Sequence, residues 1–163
     1  MKDNKKVDFS KIKLLVCDFD GVMTNDKVVV DQDGKESVVC HRGDGLGVEM
    51  AKKQGIEVMV ISKERNPVVV ARCNKLKIEC YNGIDTKVEL LKKLVKEKSY
   101  MMDQVCFIGN DVNDIECVKI VGIGVAVADA RPELIKVADY VTKKKGGEGA
   151  VREICDLLLQ YKK

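Results

Sequence analysis

Short apolar runs alternate with amphipathic stretches along most of this chain. Residues 13–17 (KLLVC), 57–61 (EVMVI), 105–108 (VCFI), 124–127 (GVAV) and 138–141 carry little polar alternation. Runs of that kind suit strands covered on both faces, as in a parallel sheet. Between them the period changes to that of helices. Residues 45–54 run up to Gly55, a residue type that ends helices. Residues 67–76 follow Asn66 as N-cap, with Pro67 at the first helical position. Residues 86–98 place Val88, Leu91, Leu94 and Val95 on one face. Further helices are expected over 113–121, 131–136 and 148–161. The alternation predicts an α/β fold: three layers, Rossmann-like, with a parallel central sheet.

One segment interrupts it. Residues 27–31 and 35–40 flank Gln32-Asp33-Gly34, and Asp-Gly is a strong hairpin signal. A β-hairpin flap over about 27–40 therefore follows the first strand and should overhang its carboxyl end. No repeat or linker divides the rest, which predicts one domain over 1–163.

Composition removes several classes of function. A formal charge of +3 is too mild to argue for nucleic acid, and 4% aromatic residues without Trp leave no stacking platform. No run reaches the ~18 apolar residues of a membrane span. The start, MKDNKKVDFSK, has no signal-peptide pattern, so a soluble cytoplasmic protein is expected. Seven cysteines without a CxxC pair argue against a disulfide framework or zinc; Cys17, Cys73, Cys106 and Cys155 read as buried apolar residues. The single histidine, His41, lacks a second one to share a metal or a triad, and reads as structural or peripheral.

The chemistry gathers where strands end. Asp18 and Asp20 follow the first run, Ser62-Lys63-Glu64 the second, and Gly109-Asn110-Asp111-Val112-Asn113-Asp114 the third. In open α/β sheets, ligands bind outside the carboxyl ends of strands. Lys87, at the start of a helix, can project to the same edge. Converging carboxylates repel one another unless a cation sits among them, and hard oxygen donors suit Mg²⁺. Two acids spaced by one residue, with Gly21 to turn the chain, fit a carboxylate nucleophile beside a general acid/base.

These residues resemble the haloacid dehalogenase superfamily of phosphatases. The resemblance is carried by Asp18-Phe19-Asp20-Gly21-Val22, Ser62, Lys87 and the cluster from Gly109 to Asp114, in order, across residues 12–160. It narrows to a capless subgroup with a hairpin after the first motif. That subgroup includes phosphatases of 3-deoxy-octulosonate 8-phosphate and of nine-carbon keto-deoxy acid 9-phosphates, and modules fused to sialic acid cytidylyltransferases. Arg42-Gly43-Asp44-Gly45-Leu46-Gly47 and Gly146-Gly147-Glu148-Gly149-Ala150-Val151-Arg152-Glu153 are similar to its recurring segments.

The resemblance implies Asp18 as nucleophile and Asp20 as acid/base. Ser62 would bind the phosphoryl group and Lys87 would counter its charge. Asp18, Asp20 (through its carbonyl), Asn110 and Asp111 would hold Mg²⁺; Asn110 stands where the family commonly has Asp, with one charge fewer. Glu64, Arg72 and Lys75 are the expected substrate-binding residues and favour the nine-carbon acid over octulosonate 8-phosphate. The subgroup's assembly implies a homotetramer whose hairpins form a central barrel. The competing expectation is a weakly active or non-catalytic oligomerisation module.

Overall fold

A computed structural model describes residues 7–162. Its centre is Leu14–Cys17 (β1), fully buried, because Leu, Val and Cys side chains meet helices on both faces. Glu57–Ile61 (β4) and Val105–Gly109 (β6) pair with β1 on either side, both parallel. Glu79–Tyr81 (β5) extends the sheet beyond β4; Ile123–Ala126 (β7) and Tyr140–Val141 (β8) extend it beyond β6. The order β5-β4-β1-β6-β7-β8 is parallel throughout and reverses direction at β1. Crevices at such reversals open at the carboxyl edge.

Helices Arg42–Lys53 (α1), Val68–Leu76 (α2), Lys87–Glu97 (α3), Ile115–Ile120 (α4), Pro132–Val137 (α5) and Ala150–Gln160 (α6) cover the sheet. α6 buries Val151, Ile154, Cys155 and Leu158 and packs along α1. A Cβ at Gly47 would lie 2.8 Å from the Arg152 Cδ and 3.1 Å from the Cys155 Cβ, so glycine lets the two helices meet. None of the helices described is long and apolar enough to cross a membrane.

The three-layer α/β expectation holds, with no cap; the stretch between β1 and α1 carries nothing larger than the hairpin. Cys17, Cys73, Cys106 and Cys155 are buried as expected, and Cys117 joins them. The differences are local. The hairpin ladder shrinks to Val29–Val30 (β2) against Glu36–Ser37 (β3), since an isolated ribbon in solvent has little to hold it. Its turn is as read: Gly34 sits at φ +77°, and Asp31 Oδ1 accepts from the amides of Asp33 and Lys35 at 2.9 Å. α1 starts three residues earlier than expected, at Arg42. The helix expected over 113–121 is split into a 3₁₀ turn, Val112–Asp114, and α4. α6 starts only at Ala150, because Gly149 has φ +98°. α2 begins one residue after Pro67, yet Asn66 Oδ1 caps it by accepting from the Val68 amide at 3.0 Å. β5, three residues at the sheet edge, was not anticipated.

Asp44 in α1 is the buried acid that the core accommodates least well. Its Oδ1 accepts the Arg152 amide at 2.9 Å, but its Oδ2 has no partner among the described residues. Burial, only partly offset by that hydrogen bond and by nearby cations, pushes its pKa to about 6. Asp44 therefore binds a proton more tightly folded than unfolded. The stability it adds is complete below the unfolded value, about 3.9, and is lost as pH rises through about 6. We expect stability measured by urea denaturation to fall between pH 4.5 and 7.5 by on the order of 2 kcal/mol from this group. Asp44→Asn should flatten that slope; an unchanged slope would refute the assignment.

Candidate active site

β1 delivers Asp18 directly to the reversal point. The Asp18 amide donates to the Ile108 carbonyl at 3.0 Å, so the side chain leaves the sheet from a fixed frame. The chain then curls around one atom. The Phe19 carbonyl accepts from Val22, Met23 and Thr24 at 3.2, 2.9 and 3.2 Å. Gly21, at φ +74°, permits the curl and gives its N–H to Thr24 Oγ1 at 3.1 Å. Asp20 is thereby turned toward the same cleft as Asp18.

Below the cleft lies a buried charge cluster. Lys87 Nζ stands 2.8 Å from Asp18 Oδ1 and 2.8 Å from Asp114 Oδ1; each of the three side chains is at most 7% exposed. Asp114 Oδ2 accepts in turn from the Asn110 and Asp111 amides at 3.0 and 3.4 Å. Gly109 makes room for it, because a Cβ there would lie 2.5 Å from Asp114. Burial raises the Asp18 pKa, the Asp114 charge adds to this, and Lys87 offsets part of it. For Lys87, burial opposes the charge, but Asp18 and Asp114 outweigh it and hold the pKa above the ordinary lysine value. Burial raises Asp20 as well, followed by the charges of Glu64 and Asp26. A carboxyl inclined to keep its proton is suited to general acid work.

β4 supplies Ser62, 1% exposed, whose amide donates to Tyr81. Its Oγ accepts from the Glu64 amide at 3.1 Å. β6 supplies Asn110 and Asp111. The cleft, about 460 Å³, is lined by Asp18, Asp20, Asp26, Ser62, Lys63, Glu64, Arg65, Asn110, Asp111 and Asn113.

Most of the residues expected from sequence are thus together, with Lys87 beneath them. Two of them carry further bonds. Glu64 Oε1 accepts from the Arg65 and Asn66 amides at 2.7 and 2.8 Å, shaping the entry to α2. Asp111 Oδ1 caps the 3₁₀ turn through the Val112 amide at 2.6 Å, and Arg131 lies 3.7 Å from its Oδ2. Arg72 and Lys75 do not line this cleft. They line a neighbouring groove between α1, α2 and the hairpin base, where Arg72 donates to the His41 carbonyl at 3.4 Å.

Asp114, which the sequence places in the third polar cluster as a further candidate for the metal, lies instead beneath the cleft against Lys87, and Thr24 is the site residue to which the sequence reading gave no role. The signal for Asp114 was its spacing, five residues beyond Gly109; for Thr24 it was its place in the turn after the two acids.

The oxygens present fit a hard divalent cation. Asp18, Asp20, Asn110 and Asp111 border one space, and the Asn110 amide lies against Gly21, where a Cβ would overlap it. No group of three or more His, Cys, Asp or Glu among the described residues closes into a metal cage. Mg²⁺ keeps several waters and takes few carboxylates, and the oxygen donors that line this space suit it. A cation there would also offset what makes the buried Asp18 carboxylate costly.

Comparison with known proteins agrees with this geometry. Residues 48–154 match the family model of haloacid dehalogenase-like hydrolases. The 3-deoxy-D-manno-octulosonate 8-phosphate phosphatase of Escherichia coli K12 is 39% identical over 149 residues, 91% of this chain and 79% of that protein. The crystal structure of the Moraxella catarrhalis phosphatase of that name, in complex with magnesium ion, phosphate ion and 3-deoxy-octulosonate, superposes with a TM-score of 0.91. It is 32% identical and covers 94% of this chain and 88% of that one. The Yersinia pestis counterpart superposes at 0.92, with 37% identity and coverage of 94% and 84%. With its motifs in order, its fold matched and well over half of its length within the family model, the chain belongs to the haloacid dehalogenase-like hydrolases.

Proposed function

We propose that the protein is a magnesium-dependent phosphatase of a keto-deoxy sugar-acid phosphate. The observation that carries this reading is the Asp18–Lys87–Asp114 cluster, closed beneath a cleft that also holds Asp20, Ser62 and Asn110. The Asp18 carboxylate attacks phosphorus while the ester P–O bond breaks, and Asp20 gives its proton to the departing sugar oxygen. Asp20 then takes a proton from water as that water attacks the aspartyl phosphate, which releases inorganic phosphate and restores Asp18. Ser62 donates a hydrogen bond to a phosphoryl oxygen. Lys87 holds Asp18 in place and offsets part of the cost of its charge. Mg²⁺ bound by Asp18, the Asp20 carbonyl, Asn110 and Asp111 would offset the phosphoryl charge.

The relatives named for 3-deoxy-octulosonate 8-phosphate make that eight-carbon acid the leading substrate. One feature keeps a nine-carbon acid 9-phosphate as second reading: Glu64 at the cleft, with Arg72 and Lys75 on the following helix. In a single chain those two cations lie outside the cleft, so they meet the substrate carboxylate only where a neighbouring subunit completes the site. The hairpin supports such an assembly, because Val28, Val29, Val30 and Val39 are all at least half exposed. A homotetramer joined through the hairpins would cover them. The cytoplasm is the expected setting.

Purified protein should release phosphate with Mg²⁺ and stop with EDTA. Asp18→Asn should abolish turnover in a folded protein, and Asp20→Asn should lower it by about 10²–10⁴-fold. Full activity in Asp18→Asn would sink the mechanism, and a wild type without activity would favour the oligomerisation-module reading. With eight- and nine-carbon keto-acid phosphates and hexose phosphates compared by kcat/KM, the eight-carbon acid should lead; equal turnover of all would remove the role assigned to Glu64, Arg72 and Lys75. Light scattering should give a tetramer mass, and Val29→Lys with Val30→Lys should dissociate it. A monomeric wild type at micromolar concentration would refute the assembly.

A further inference from the structure

Gly21, which follows Asp20, is enclosed from two sides. Asn110 lies on one; Gly146 lies on the other, where a Cβ would overlap the Gly21 carbonyl. The next residue, Gly147, has φ +70° and gives its N–H to the Val22 carbonyl at 2.9 Å. A Cβ at Gly147 would intrude on the backbone of Thr24 and Asn25. Main chain thus meets main chain with no side chain between them. The Gly146 amide is itself anchored, donating to Asp129 Oδ1 at 3.0 Å.

The turn then runs directly into the start of α6. Gly149 opens the helix and has no side chain with which to cap it. The amide of Arg152, the third helical residue, donates instead to Asp44 of α1. Asp44 is 2% exposed and leaves Oδ2 without a partner among the described residues. A carboxylate buried so incompletely satisfied is a poor source of stability. Its geometric effect is definite: it ties the α6 N-terminus, and the glycine turn before it, to α1.

We propose that the Gly146–Gly147 turn is a positioning element for the Asp20–Thr24 turn, and that Asp44 positions it by capping α6. This rests on the phosphatase reading above. Neither glycine nor Asp44 lines the cleft. They act through the Gly21 peptide, whose displacement would move both the Asp20 carboxyl and its carbonyl.

Steady-state kinetics with p-nitrophenyl phosphate and Mg²⁺ test this. Gly146→Ala should lower kcat by about 10²-fold, the scale of a 1 Å misplacement, and leave KM nearly unchanged. Gly55→Ala is the control, because Gly55 has φ +76° with open space around it. It should lose stability and keep kcat. If Gly146→Ala does not fold, Asp44→Ala carries the test. It should lose about tenfold in kcat, and Asp44→Asn, which keeps an oxygen for the Arg152 amide, should recover most of it. Wild-type kcat in the folded Gly146→Ala and in Asp44→Ala, or a change confined to KM, overturns the proposal. If the wild type releases no phosphate, the phosphatase reading falls, and hydrogen exchange at the amides of residues 22–24 decides the positioning. Faster exchange in Asp44→Ala but not in Asp44→Asn upholds it; unchanged exchange in both overturns it.

Discussion

Everything at the sheet's carboxyl edge depends on one ammonium group. Lys87 lies between two largely buried carboxylates, and without it Asp18 and Asp114 would repel each other in a poorly screened interior. Leaving a buried charge without its partner costs about 3–5 kcal/mol, comparable with the whole stability of a small domain. The cluster therefore ties catalysis to folding. It joins β1 through Asp18, the start of α3 through Lys87 and the loop after β6 through Asp114. Asp114 then places the Asn110 and Asp111 amides, so the remaining donors take their positions from the same ion pair.

The cleft above carries more acid than base. Asp18, Asp20, Asp26, Glu64 and Asp111 face Lys63 and Arg65 around it. A phosphate monoester, itself an anion, would not enter such a space alone. On the proposed function, this excess, together with the burial that raises Asp18 and Asp20, would make a divalent cation part of recognition as well as of chemistry. Asn110 fits this balance: a further carboxylate there would add repulsion in the absence of metal, and an amide does not.

The central strands were legible because burial on both faces leaves an unmistakable run of Leu, Val, Ile and Cys in β1, β4 and β6. The placement of Asp18 and Asp20 was legible because polar residues that end such runs have one place to go. β5 was not, because a three-residue edge strand with glutamate and tyrosine carries no period. Helix limits shifted where left-handed glycines and capping side chains, invisible to a hydrophobic pattern, decide the first turn, as at Gly149 and Asp111. Arg72 and Lys75 share a helix face, as their spacing said, but spacing along α2 does not fix which groove that face borders. The pressure of Gly146 on Gly21 joins residues 125 positions apart, and nothing local in the sequence announces it.

That contact has a bearing on synthesis. β1, β4 and β6 all precede residues 146–152 in the chain, so the central strands can pair before that turn and α6 are made. The turn that carries Asp20 has no backing until residues 146–152 have emerged and α6 has docked on α1. A nascent chain can thus pair its central strands before the Asp20 turn is backed, and α6, which also completes the core, supplies that backing.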